Sequence, residues 1–257
     1  DKVESLIGVH GTNENIENAP ASSPGVLLPP PKPRAGELLA QHRARQMGVP
    51  FIPIHRAVLT RRLDADTLPQ KLHPNNPRAQ RLVADNMRLR APCFWATPCG
   101  RGCSIGATYQ STNVHLPIAL ASGNLDLVTR AMVREITVDA RGRATGVVWI
   151  DKIDGTAHAR NARAVILAAS AGETVRLLLN SRSPLFPDGL GNSTGQLGRH
   201  LTETVGASLG GYIPALENLP LHNEDGAGGP HLYAPWWLHR EAARLGFPRG
   251  YHIDVIT

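Results

Sequence analysis

The sequence predicts an α/β chain, α+β when taken as a whole. Part of a parallel-sheet domain carries an inserted three-stranded β-meander, and an antiparallel sheet begins after it. Residues 164–169 read Ala-Val-Ile-Leu-Ala-Ala, a continuous apolar run typical of a strand buried on both faces of a parallel sheet. Residues 133–161 contain the strand patterns of the meander, separated by turns, and residues 173–181 have helical spacing.

The first half of the chain is predicted to be mostly helix and loop. Apolar residues recur at helical spacing in the segments 1–9, 36–47 and 79–89. Residues 12–34 form a predicted loop with a proline-rich, extended stretch near its end. Residues 51–59 predict a short strand.

The second half is predicted to be mostly strands. The meander strands are expected at residues 133–138, 144–150 and 156–161. The turns between them, Asp-Ala-Arg-Gly and Asp-Lys-Ile-Asp-Gly, contain the residues that tight turns favour. Later strands are expected at residues 205–214, 231–238 and 250–256.

The composition excludes several classes of protein. The chain has 257 residues, 42% of them hydrophobic, which is enough apolar material for a core and argues against wholesale disorder. No apolar run approaches the roughly 20 residues that span a bilayer, so we expect no membrane span. The net charge of +6 comes from basic residues spread along the whole chain. This pattern indicates a surface bias rather than a nucleic-acid-binding patch.

Three cysteines, Cys93, Cys99 and Cys103, stand close together in the sequence. Their C-x5-C-x3-C spacing, with no histidine nearby, matches zinc sites poorly, because zinc prefers four ligands at tighter spacing. An odd number of cysteines also argues against a disulfide framework. We therefore expect packed or locally structural thiols and no metal ligand.

The turn between the apolar run and the following helix carries the clearest chemical signal. Its residues, Ala-Ala-Ser-Ala-Gly at 168–172, are small, so backbone N–H groups could approach a diphosphate at the start of a helix. The alternative is plain packing between a strand and a helix, since no G-x-G-x-x-G motif occurs in the chain. A meander directly before such a turn is typical of dinucleotide-binding domains.

Several segments together resemble the glucose–methanol–choline (GMC) flavoprotein oxidoreductases. The similarity is carried by residues 1–11, 99–111, 115–119, 142–147, 164–181 and 188–201. The sequence departs from the family signature at three positions: Ser170 replaces a glycine, Val175 a proline and Arg182 another glycine. The chain resembles an internal fragment, without the family's N-terminal G-x-G-x-x-G and its C-terminal catalytic histidine.

The resemblance implies FAD as the cofactor and names the residues that would contact it. Val133 would lie against the adenine, and the ADP moiety would be lined by Ala168, Ala169, Ser170 and Ala171. Thr174 matches a signature threonine and could instead simply cap the helix. For the others, the alternatives are an ordinary meander edge and strand–helix packing.

The resemblance also implies a domain assignment and a reaction. Residues 1–204 would belong to the FAD-binding domain, with its lid and Cys-rich excursions, and residues 205–257 would begin the substrate-binding domain. An alcohol or sugar, as in choline dehydrogenase-like enzymes, would pass hydride to the flavin while a histidine accepts the hydroxyl proton. No residue of this chain is assigned that catalytic role.

The expected partners are the small-molecule substrate and the rest of the polypeptide or a complementary chain. The expected compartment is a bacterial-type cytoplasm or periplasm. The competing hypothesis is a non-catalytic binding or structural fragment without flavin.

Overall fold

The computed structural model describes residues 1–15, 20–94, 99–220, 232–237, 241, 244, 246 and 251–256. The chain forms two compact units. Unit 1 comprises Asp1–Asp126 and Gly211–Thr257, and unit 2 comprises Leu127–Gly210. The assignment of residues 1–204 and 205–257 to different functional domains stays a prediction. Among the described residues, none of the helices is both long and apolar enough to cross a bilayer.

The helices agree with the helical patterns in the sequence and add two short ones. They are α1 (Lys2–Ile7), α2 (Ala35–Gln46), α3 (Leu68–Leu72), α4 (Pro77–Arg88), α5 (His115–Ala121) and α6 (Ala171–Asn180). The predictions for residues 1–9, 36–47, 79–89 and 173–181 are confirmed to within a few residues. Helices α3 and α5 were not predicted, because segments of five and seven residues are too short to show periodicity.

The strands form two antiparallel sheets. They are β1 (Ile52–Pro53), β2 (Ala131–Val138), β3 (Ala144–Asp151), β4 (Ala157–Asn161), β5 (Leu232–Trp237) and β6 (Tyr251–Val255). Unit 1 contains the sheet with strand order β1-β5-β6, and unit 2 contains the meander β2-β3-β4. The predicted meander and the predicted final strands are confirmed. The segment predicted as a strand over 51–59 is shorter, since only Ile52–Pro53 is ladder-paired.

The core of unit 1 lies in separate apolar clusters. One contains Leu28, Val58, Leu59 and Ala107, and a second is built around Leu72, Val83 and Met87. In the second cluster α3 and α4 pack together, because α4 places its apolar residues on one face. The unit 1 sheet packs Ala234 of β5 against Ala44 of α2.

Two predicted strands are not formed. Residues 164–169 make no ladder with any described strand, and the Ile166 side chain is 90% exposed. Residues 205–213 are likewise unpaired, and Leu209 is 99% exposed. A strand of a sheet interior depends on hydrogen bonds from neighbouring strands, and the described residues supply none at either place. The mixed helix-and-strand class is confirmed, whereas the parallel FAD-type sheet stays a prediction.

Candidate cofactor-binding site

The predicted cofactor residues 168–171 form the entry to α6. Ala168 and Ala169 are exposed and lie outside regular structure. Ser170 occupies the N-cap position, and Ala171 is the first helical residue. The backbone N–H of Thr174 donates to the Ser170 carbonyl at 3.0 Å, which closes the first turn. The Thr174 side chain is half-buried, and the backbone of the preceding turn faces solvent.

Ser170 has a backbone conformation that favours glycine. Its φ is 68° and its ψ is 169°, and its side chain makes no capping hydrogen bond. This combination lies in a region that is essentially restricted to glycine, and it costs other residues about 1–3 kcal/mol. The GMC signature that residues 164–181 resemble has glycine at this position, which fits the geometry observed here. The backbone of Ser170 is therefore strained, whereas a glycine would adopt the same conformation without strain.

The first turn of α6 leaves its backbone accessible. Apart from the chain neighbours of Gly172 and the backbone of its own helix, no described heavy atom lies within 4 Å of where a Cβ on Gly172 would stand. The amide groups that begin a helix have no partner within that helix, and they carry a partial positive charge. The only acidic residue of this turn, Glu173, pairs with Arg176 at 2.8 Å between its Oε2 and the guanidinium Nε. That pairing moderates the repulsion that the carboxylate would exert on a bound anion.

Val133 lies in β2, in a cross-strand row with two aromatic side chains. It is directly opposite Trp149 of β3, which in turn is opposite His158 of β4. The Trp149 and His158 rings stack with centroids 5.4 Å apart and planes 19° from parallel. Directly opposed residues point to the same face of a sheet, so the three side chains share one face. Sequence reasoning missed Trp149 and His158, because the β2–β3 register shifts between Val133 and Glu135 and so does not follow from the length of the turn.

The structure brings α6 and β2 together within unit 2. The helix packs on the strand, and the side chains of Leu177 and Ile136 are both buried. The two predicted cofactor segments therefore belong to adjacent elements of one unit. That Val133 and residues 168–174 bind one cofactor together stays a prediction.

A buried cation organises the cysteine-containing region of unit 1. Arg90 is 2% exposed, and its guanidinium donates to the carbonyls of Gly106, Leu6 and Ile7 at 3.0, 3.1 and 2.7 Å. It thereby satisfies carbonyls at the end of α1, which have no partner within the helix. Burial lowers the pKa of Arg90 to about 10, so the side chain stays charged near neutral pH.

The three cysteines pack against one apolar cluster, that of Leu28, Val58, Leu59 and Ala107. Their thiols are free. Burial opposes ionisation of the Cys103 thiol, but hydrogen bonds from the backbone of Thr108, Ile105 and Ala107 and from the Thr108 hydroxyl outweigh it and lower its pKa. Within the described part of the chain, no group of three or more metal-type side chains is placed to hold an ion.

Three aromatic residues, Tyr233, Trp236 and Trp237, lie in β5. Tyr233 of β5 is buried, and its hydroxyl donates to the Glu14 carboxylate. Burial and the contact with that carboxylate raise the Tyr233 pKa above its ordinary value. The side chains of Trp236 and Trp237 lie outside the described residues. The hydrogen bond from Tyr233 to Glu14 therefore connects β5 to the loop that follows α1.

Comparison with known proteins identifies the family. Residues 79–205 match the family model of GMC oxidoreductases. This match, over about half of the chain, supports membership of the GMC oxidoreductase family, which the sequence segments predicted. All the predicted cofactor residues, from Val133 to Thr174, lie inside the matched region.

The curated relatives are oxidoreductases by name. The chain is 35% identical over 154 residues to 2-methyl-1,2-propanediol dehydrogenase of Mycolicibacterium austroafricanum, an alignment that covers 60% of this chain and 27% of that protein. It is 30% identical over 128 residues to paromamine 6'-oxidase of Streptomyces fradiae, covering 50% and 24% of the two chains. It is 28% identical over 120 residues to the fructose dehydrogenase large subunit of Gluconobacter japonicus, covering 47% and 22%. The chain thus aligns with about a quarter of each relative's length.

Proposed function

We propose that the protein is an FAD-dependent oxidoreductase that oxidises a CH–OH group of an alcohol or a sugar by hydride transfer to the flavin. The observation that carries this proposal is the match of residues 79–205 to the GMC family, because it spans the predicted cofactor residues. The names of the relatives support the substrate class, since they describe a diol, an aminosugar and a sugar as the compounds oxidised.

The described residues fit the ADP half of FAD. A diphosphate needs small side chains, accessible N–H groups and a positive helix end, and the turn before α6 offers all of these. Ser170, Ala171 and the open backbone at Gly172 would hold the diphosphate, with Ala168 and Ala169 beside it. Val133 would hold the adenine at the edge of the meander. When bound, FAD supplies the two-electron acceptor for the hydride.

The residues described here bind and orient rather than carry proton transfer. The N–H groups at the start of α6 are fixed by the helix, so they need little rearrangement to accept an anion. The ion pair between Glu173 and Arg176 offsets part of the negative charge of the Glu173 carboxylate in this turn. The residue that accepts the hydroxyl proton of the substrate is not assigned to this chain.

The exposed apolar residues support a further partner. Ile166 and Leu209 are almost fully exposed, and Val205 is 91% exposed. Burying such side chains contributes about 1.5–3 kcal/mol each, so leaving them in water is unfavourable. We propose that the rest of the polypeptide, or a complementary chain, covers them.

Spectroscopy of the intact protein tests the function. Oxidised flavin absorbs at about 450 nm, and this absorption band is lost when the flavin is reduced. We expect this band to bleach under anaerobic conditions when a diol or a sugar is added, and to stay when the corresponding deoxy compound is added. A colourless protein that cannot be reconstituted with FAD would contradict the proposal and favour a non-catalytic binding or structural role.

A further inference from the structure

The residue that connects the two predicted cofactor segments is Ser181. It follows α6 directly and is 4% exposed. Its hydroxyl donates to the Leu177 carbonyl at 2.7 Å and accepts from the Ile136 N–H at 2.8 Å. A serine hydroxyl can donate one hydrogen bond and accept others, so both contacts can exist at once. One side chain thus bonds the end of the helix to the backbone of β2.

The contact with Ile136 replaces a missing strand neighbour. Among the described strands, β2 is an edge strand of the meander, because it pairs only with β3 in the order β2-β3-β4. The N–H groups on its free side have no ladder partner, and a buried N–H without an acceptor is costly. Ser181 supplies the acceptor for Ile136, three residues along from Val133. The strand that carries the predicted adenine contact is therefore anchored by this hydroxyl.

The same residue fixes the helix that carries the predicted diphosphate contacts. The Ser181 N–H donates to the carbonyls of Leu177 and Leu178 at 3.0 and 3.2 Å, and its own carbonyl accepts from Leu190 at 3.0 Å. The helix has ten residues and spans about 15 Å. A tilt of about 5° at the anchored end would move the other end by about 1 Å. A shift of that size is enough to weaken a site built from fixed donors.

We propose that Ser181 is a positioning residue for FAD: its two hydrogen bonds set the register of α6 against β2, and hence the placement of the diphosphate-binding turn relative to the adenine-binding strand. The proposal rests on the proposed function and adds a residue that does not itself touch the cofactor. The proposal applies to Ser181 and not to the nearby Ser183. The Ser183 Oγ is buried but has no hydrogen-bond partner among the described residues.

Flavin affinity of the intact protein tests this role. Apo protein is titrated with FAD, and flavin fluorescence gives the dissociation constant well below the unfolding temperature of each variant. Ser181→Ala should raise the dissociation constant about tenfold or more, because it leaves a buried N–H unpaired at the joint. Ser181→Thr, which keeps the hydroxyl, should stay within about threefold of the wild type, and the matched control Ser183→Ala within about twofold.

The readouts separate positioning from stability. The unfolding midpoint of each apo variant is measured in parallel. If Ser181→Ala lowers the midpoint but leaves FAD affinity unchanged, the residue is merely structural and the proposal is wrong. An equal loss of affinity in Ser183→Ala would refute it as well. Should Ser181→Ala fail to fold, Ser181→Cys, whose thiol is a weaker acceptor and a weaker donor, should give an intermediate loss, and unchanged affinity there would overturn the proposal. A wild type without FAD affinity would instead refute the proposed function.

Discussion

Replacing Ser170 by glycine should stabilise the protein, which is unusual for a substitution at the entry to a helix. The backbone of Ser170 has φ 68° and ψ 169°, a region essentially restricted to glycine, and relief of this strain is worth about 1–3 kcal/mol. Glycine also lowers the free energy of unfolding by about 0.5–1 kcal/mol, because it increases the entropy of the unfolded chain. The serine side chain is exposed and makes no capping hydrogen bond, so nothing further is lost. The net expected gain is about 1 kcal/mol.

Chemical denaturation of the intact protein measures this gain, with Ala171→Gly as the matched control. Ala171 is exposed and is the first residue of α6, where a glycine costs about 0.5–1 kcal/mol. The two substitutions should therefore shift the free energy of unfolding in opposite directions. A loss in Ser170→Gly as large as that in Ala171→Gly would refute the assignment of strain to Ser170.

Two further predictions concern unit 1. Arg90→Met should lower the free energy of unfolding by about 2–4 kcal/mol, because three hydrogen bonds from a charged donor are lost. Thermal denaturation measures this loss. A loss below about 1 kcal/mol, close to that of a surface substitution, would contradict the prediction. Because its pKa is lowered, the Cys103 thiol should remain reactive towards iodoacetamide as the pH falls below the usual thiol range. The pH at which alkylation of Cys103 is half-maximal, measured by mass spectrometry of the alkylated peptide, should rise in Thr108→Val, because a hydrogen-bond donor to the thiolate is removed. An unchanged midpoint would show that the Thr108 hydroxyl has no such role.

Elements held together by local signals were predictable from the sequence. The hairpin turn at residues 139–142 closes through Asp139, whose carboxylate accepts from the N–H groups of Arg141 and Arg143 at 2.9 Å. Both partners lie within four residues, so the turn is encoded where it forms. The meander strands follow from the same local pattern.

Features that depend on distant residues were not predictable. The apolar run at 164–169 looks like an interior strand, but a strand forms only where neighbours supply hydrogen bonds. Ser181 gave no signal, because its acceptor role involves Ile136, 45 residues away. At Ser170 the departure from the family's glycine was visible, whereas the positive φ that explains the glycine required the structure.

The measurement that tests the central claim most directly is FAD binding by a variant with a negative charge at the entry to α6. Ala169→Asp places a carboxylate at an exposed position where a diphosphate is proposed to sit. A negative charge near a helix N-terminus favours the helix by about 0.3–1 kcal/mol, so the apo protein should be at least as stable as the wild type. Ala140→Asp, at an exposed turn of the same unit, controls for net charge.

The account predicts that Ala169→Asp raises the FAD dissociation constant about tenfold or more, while Ala140→Asp leaves it within about twofold. Wild-type FAD affinity in Ala169→Asp, with the apo protein fully folded, would contradict a diphosphate at the start of α6.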